Sequence, residues 1–136
     1  MKNLLILLLP FLLTAAIASA QTRPAGKSGH RHPAGMQYGT ASYYANKFQG
    51  RPMASGELYD KNKMTCAHNS LPMGTWIRVT SLRNKRSVIV KVTDRLHHRN
   101  KRLVDLSRIA AAKLGYLKRG LARVSVEILD KNSTAR

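Results

Sequence analysis

The chain has 136 residues, 24 lysines and arginines against 6 aspartates and glutamates, and a formal charge of +18. That length gives room for one domain and excludes two. A single cysteine, Cys66, excludes an internal disulfide, so packing and hydrogen bonds must hold the fold.

The first element is a leader. Met1-Lys2-Asn3 precedes an apolar run from Leu4 to Ile17 that closes on Ala18-Ser19-Ala20, the charged, apolar and small-residue order of a secretory signal, with cleavage expected before Gln21. Pro10 and Thr14 interrupt the run, which is too short for a membrane span of about 20 residues. A retained amphipathic or core helix is the alternative for residues 1–20. The expected product is periplasmic or secreted, with no transmembrane segment. A lipid anchor requires a cysteine at the first mature position, and Cys66 lies far inside the chain, so no anchor is expected. Nucleic acid is the first thought for a chain this basic. Outside the cytoplasm, however, the abundant anions are wall polymers and lipid head groups, and the same charge also keeps a secreted protein soluble. A nucleic-acid partner is therefore not expected.

Residues 21–36 are rich in Gly, Pro and basic side chains without an apolar period, and read as a disordered basic arm. The domain is expected over 37–129 as a monomer that is mainly β, with its clearest strand patterns at Tyr38–Tyr44, Thr75–Ser81, Ser87–Asp94 and Leu121–Leu129. One helix is signalled over Arg108–Leu114, with Ser107 as its N-cap and Gly115 where a left-handed residue is wanted. Residues 130–136 read as a disordered tail.

Val88, Val90 and Val92 share one face of the third run, with Ser87, Ile89, Lys91 and Thr93 on the other, and Asp94 continues the valine phase. A carboxylate ending a core-facing row suits the partly shielded mouth of a barrel, where catalysis becomes possible. Capping of the turn through Arg95 explains the same position equally well. Glu57 and Asp60, three residues apart, follow a glycine turn at Gly56, and His68 comes eight residues after Asp60, so polar loops with two acids and a histidine can meet there. Glycosidic cleavage needs a proton donor, stabilisation of an oxocarbenium-like centre and hydrogen bonds to the sugars, which such a set supplies. Neutralisation of Arg51, Lys61 or Lys63 is the plainer reading of the same acids.

Read together, the segments Gly39–Tyr44 (GTASYY), Gly50-Arg51, Ala54–Asp60 (ASGELYD), Thr65–His68 (TCAH), Leu71-Pro72, Gly74-Thr75, Val90–Arg95 (VKVTDR) and Val104–Ser107 (VDLS) resemble, in order, the signatures of the rare lipoprotein A family. The resemblance covers about residues 37–129. It implies a six-stranded double-psi β-barrel with one or two short helices, related in fold to barwin and expansin domains. It also implies lytic transglycosylase activity on peptidoglycan glycan strands, with no metal or organic cofactor. The family's active-site acids and histidine fall on Glu57, Asp60, His68 and Asp94. Asp94 is the expected general acid and base, Glu57 and Asp60 orient substrate or stabilise positive charge, and His68 hydrogen-bonds the sugars. Tyr43, Tyr44, Ser55 and Arg95 are the expected substrate-binding residues, Tyr43 and Tyr44 being split by strand parity between core and sugar stacking. Leu96-His97-His98 stands where the family usually has Gly-Pro, and Met53, Cys66 and Thr93 replace a usual threonine, alanine and asparagine.

Adjacent His97 and His98 lack the companions and spacing of a metal site. Cys66 reads as a small buried residue, and Asp105 as a structural acid that bonds backbone amides before the helix. A non-catalytic wall-binding or wall-loosening barrel is the second functional reading. A secreted nucleic-acid-binding or antimicrobial protein is the third, and it explains the charge but not the acids.

Overall fold

The structure, a computed structural model, describes residues 35–129. The expected leader, all but the end of the basic arm, and the tail lie outside them. Six strands form a closed barrel: β1 (Met36–Tyr43), β2 (Thr65–Ala67), β3 (Trp76–Ser81), β4 (Ser87–Asp94), β5 (Val104–Leu106) and β6 (Ala122–Ile128), in the order β1-β5-β2-β4-β3-β6. The pairs β1·β5 and β2·β4 are parallel and the other four antiparallel, giving a mainly β double-psi barrel. Strand β1 begins at Met36, just inside the expected arm.

Alternation explains the long strands. In β3 and β4, Ile77, Val79, Val88, Val90 and Val92 turn inward and meet Val124 and Val126 of β6 and Val104 and Leu106 of β5. Each buried Val or Leu contributes roughly 1.5–3 kcal/mol. Helix α1 (Arg108–Leu114) plugs one side with Ala110, Ala111 and Leu114. Its ends follow the expected chemistry: Ser107 Oγ accepts from the Ala110 amide, and Gly115 sits at φ 82° and donates to Ala111 and Ala112 carbonyls.

Two features depart from the sequence pattern. Strands β2 and β5 were outside the four expected runs; each has three residues, all buried, so neither shows an exposed phase. In β4, Thr93 faces outward by parity yet is buried, because Met53 covers it and its hydroxyl donates to Met53 Sδ at 3.3 Å. At the same point the β2·β4 register shifts, Cys66 pairing with Val92 and Ala67 with Asp94. The extra residue is a bulge, a device that re-aims neighbouring side chains.

Candidate active site

The segment between β1 and β2 builds the mouth of the barrel. A short 3-10 turn (Asn46–Phe48) leads into a tight excursion in which Gly50 N–H donates to the Tyr59 carbonyl, Tyr59 N–H to that of Arg51, and Met53 N–H to that of Glu57. Gly56, at φ 88°, makes the reversal possible. Tyr59 anchors the excursion: its ring is buried edge-on to Tyr44 at 4.4 Å between centroids, and its hydroxyl accepts the Arg108 amide at the start of α1. The tip docks on the end of β4, where Ser55 N–H donates to the Thr93 carbonyl and Ala54 N–H to Asp94 Oδ1.

Three donors therefore converge on Asp94. Oδ1 accepts the Ala54 and Arg95 amides at 2.9 and 2.8 Å, and Oδ2 accepts the Tyr44 hydroxyl at 2.6 Å. Burial, reinforced by the Asp94 hydrogen bond, pushes the Tyr44 phenol far above its ordinary range, so Tyr44 stays a donor. A carboxylate offers about four acceptor sites, so one site on Oδ2 remains for a further partner. Asp94 is half-buried and lines a cleft of about 420 Å³ together with Tyr43, Tyr44, Phe48, Arg51 and Arg95.

The other expected residues are distributed differently. Tyr43 borders this cleft, but its hydroxyl donates to the Leu117 carbonyl and its ring packs edge-on against Tyr116. Arg95 borders it too and reaches back to donate to the His68 carbonyl. Ser55 is exposed on the excursion, and its Oγ accepts the Glu57 amide at 3.3 Å. Glu57 and Asp60 lie across Met53, on a second hollow; Asp60 Oδ1 accepts the Asn62 amide, and neither acid pairs with a lysine or arginine among the described residues. His68 lines neither depression. It is 1% exposed, with Nε2 2.8 Å from Gln37 Oε1 and Nδ1 accepting the Ser70 amide, so Nε2 carries the proton. Burial, with the Arg95 charge behind it, holds this imidazole below its ordinary range.

Sequence reasoning missed the floor of the cleft, where Arg102 grips Asp105 through Nε and Nη2 at 2.8 and 2.9 Å. Asp105, expected to bond backbone amides before the helix, takes this side-chain fork instead. The i, i+3 spacing of Arg102 and Asp105 was the available signal. Cys66 is buried as expected, and burial raises its thiol pKa far above the ordinary value. Among the described residues no helix is long and apolar enough to cross a membrane.

A family model described as "Lytic transglycolase" matches residues 36–126. The chain is 52% identical over 92 residues to the endolytic peptidoglycan transglycosylase RlpA of Pseudomonas aeruginosa strain UCBPP-PA14, covering 68% of this chain and 27% of that protein. It is 44% identical over 103 residues to the RlpA of Haemophilus influenzae, covering 76% and 36% respectively. The chain thus spans about a quarter to a third of the length of these relatives. Among solved structures, the Streptomyces papain inhibitor superposes with a TM-score of 0.56 at 24% identity, over 70% of this chain and 94% of the inhibitor. An apo expansin of Clavibacter michiganensis gives 0.56 at 24%, over 71% and 51%. The fold is shared with both, and the match along nearly the whole barrel settles the family: this chain belongs to the lytic transglycolase family, as a rare lipoprotein A-type double-psi β-barrel.

Proposed function

We propose that the protein is an exported peptidoglycan lytic transglycosylase that cleaves the bond between N-acetylmuramic acid and N-acetylglucosamine and leaves 1,6-anhydromuramyl ends. The observation that carries this reading is the Asp94 carboxyl group, fixed by three donors in a cleft walled by aromatic rings, with one acceptor site of Oδ2 to spare. The relatives named endolytic peptidoglycan transglycosylases supply the substrate class.

The chemistry balances without water. The Asp94 carboxyl group gives its proton to the bridging oxygen as the bond to muramyl C1 breaks, and positive charge develops at C1. The muramyl C6 hydroxyl then attacks C1 and its proton passes to the carboxylate, restoring the starting acid. Tyr44 holds Oδ2 in position throughout. Arg95 and the aromatic rings of Tyr44 and Phe48 orient the glycan. Glu57 and Asp60 act on sugars across Met53, and His68, sealed behind Arg95, is a positioning residue.

That division of the acids between two depressions also favours a second reading, a non-catalytic wall-binding barrel. Mass spectrometry of muropeptides released from intact and peptide-stripped sacculi separates the two. Anhydromuramyl products that vanish in Asp94→Asn support the enzyme. Binding without products from either substrate supports the binding module.

A further inference from the structure

Across Met53 from the Asp94 cleft lies a hollow of about 450 Å³, walled by the 53–64 segment and by β2, β3 and β4. Thr65, 8% exposed, lines it, and Thr65 Oγ1 is the one buried side-chain polar atom without a hydrogen-bond partner among the described residues. A buried hydroxyl in that condition is destabilising until some group pairs with it. On the same hollow stands Trp76, partly exposed, with its cross-strand partner Lys91. Both residues also line a third depression of about 770 Å³.

The three depressions adjoin. Met53 belongs to the first and second, and Trp76 and Lys91 to the second and third. Lys91 and Asp94 are three residues apart on β4, a separation of ~10 Å along a strand. A polymer seated at Asp94 therefore meets Trp76 within a short continuation of the same chain. Beside the apolar side chains of Met53, Leu58 and Met64, the walls carry groups that a sugar can use. A flat indole face suits the C–H face of a pyranose, and Glu57 and Asp60 offer acceptors for ring hydroxyls.

We propose that the hollow between Met53 and Trp76 is a glycan subsite, where sugars beyond the reacting bond stack on Trp76 and hydrogen-bond to Thr65 Oγ1. This rests on the reading of the Asp94 cleft as a glycan site, and it assigns Glu57 and Asp60 to holding the strand.

Trp76 is the only tryptophan in the chain, so tryptophan emission, excited apart from the tyrosines, reports the wall that this hollow shares with the third depression. The Asp94→Asn protein is titrated with a six-sugar, peptide-free peptidoglycan oligosaccharide, by fluorescence and by calorimetry. A saturable blue shift is expected, with Trp76→Leu and Thr65→Val, each in the Asp94→Asn background, binding about tenfold more weakly. Thr65→Val keeps the side-chain shape and removes an unpaired hydroxyl, so it melts no lower than its parent. A merely structural Thr65 would instead lower the melting temperature and leave affinity unchanged. Binding and cleavage by the wild type, with unchanged tryptophan emission and unchanged affinity in both variants, overturns the subsite and leaves the transglycosylase standing. Absence of both binding and cleavage overturns the two together.

Discussion

Replacing Asp94 by asparagine and by alanine separates its chemistry from its structural contribution. Asparagine keeps the shape: Oδ1 retains the Ala54 and Arg95 donors, and the side-chain amide donates to Tyr44, whose hydroxyl turns to accept. What disappears is the charge and the exchangeable proton. A positioned acid–base group contributes about 10²–10⁴-fold, so Asp94→Asn is expected to lower kcat for anhydromuramyl release by about 10³-fold. Alanine removes the acceptor from all three donors. An unpaired donor costs about 1–3 kcal/mol when fully buried, but Asp94 is only half-buried and water relieves part of this. A total near ~2 kcal/mol follows, or about 10 °C in melting temperature for a domain of this size. The two variants should thus lose activity alike and differ in stability. Muropeptide mass spectrometry reads the first quantity and thermal melting by circular dichroism the second. Asparagine with activity within about threefold of wild type would refute the acid–base role. Asparagine melting as low as alanine would refute the three-donor cradle.

Other consequences follow from single contacts. Holding the His68 imidazole below its ordinary value favours the neutral ring in the folded state, so the unfolded chain takes up a proton first as pH falls. Stability from this group is complete above about pH 6.5 and declines below it; melting at pH 7.5 and 5.5 should show the loss, and His68→Gln should shrink it. A Cβ added at Gly39 would meet Leu103 Cβ at 2.6 Å. Gly39→Ala should therefore lose about 1–3 kcal/mol, read by denaturant unfolding, and Leu103→Gly in the same chain, which removes that Cβ, should relieve the clash and restore part of it. Cys66, buried with its thiolate disfavoured, should react with a thiol reagent only as fast as the barrel opens, and at once in denaturant.

What the sequence could reveal depended on the range of the forces involved. The long strands and the helix rest on local rules: the valine alternation of β4, the Ser107 cap and the Gly115 stop all reappear in the structure. Strands β2 and β5 escaped because both faces of a three-residue buried strand are covered, which erases the period. The family resemblance supplied the closed barrel that periodicity alone could not order.

The site divides along the same line. Parity placed Asp94 at the end of a core-facing row, and the half-buried carboxylate agrees with that, while its bond from the Arg95 amide is the one the turn-capping alternative expects. Its donors were not legible, since Tyr44 and Ala54 lie 50 and 40 residues away in sequence. Close spacing of Glu57, Asp60 and His68 suggested one converging cluster, but the excursion that carries the two acids docks on the end of β4 and sets Met53 between them and Asp94, while His68 turns to Gln37. Met53 thus stands as the wall shared by the two depressions. If the depressions on its two sides hold one glycan strand, the separated acids belong to one machine, with chemistry at Asp94 and grip at Glu57, Asp60 and Trp76. Shortening that side chain, as in Met53→Ala, merges the two depressions, and the lengths of the glycan fragments released would then shift if both sides engage the same strand.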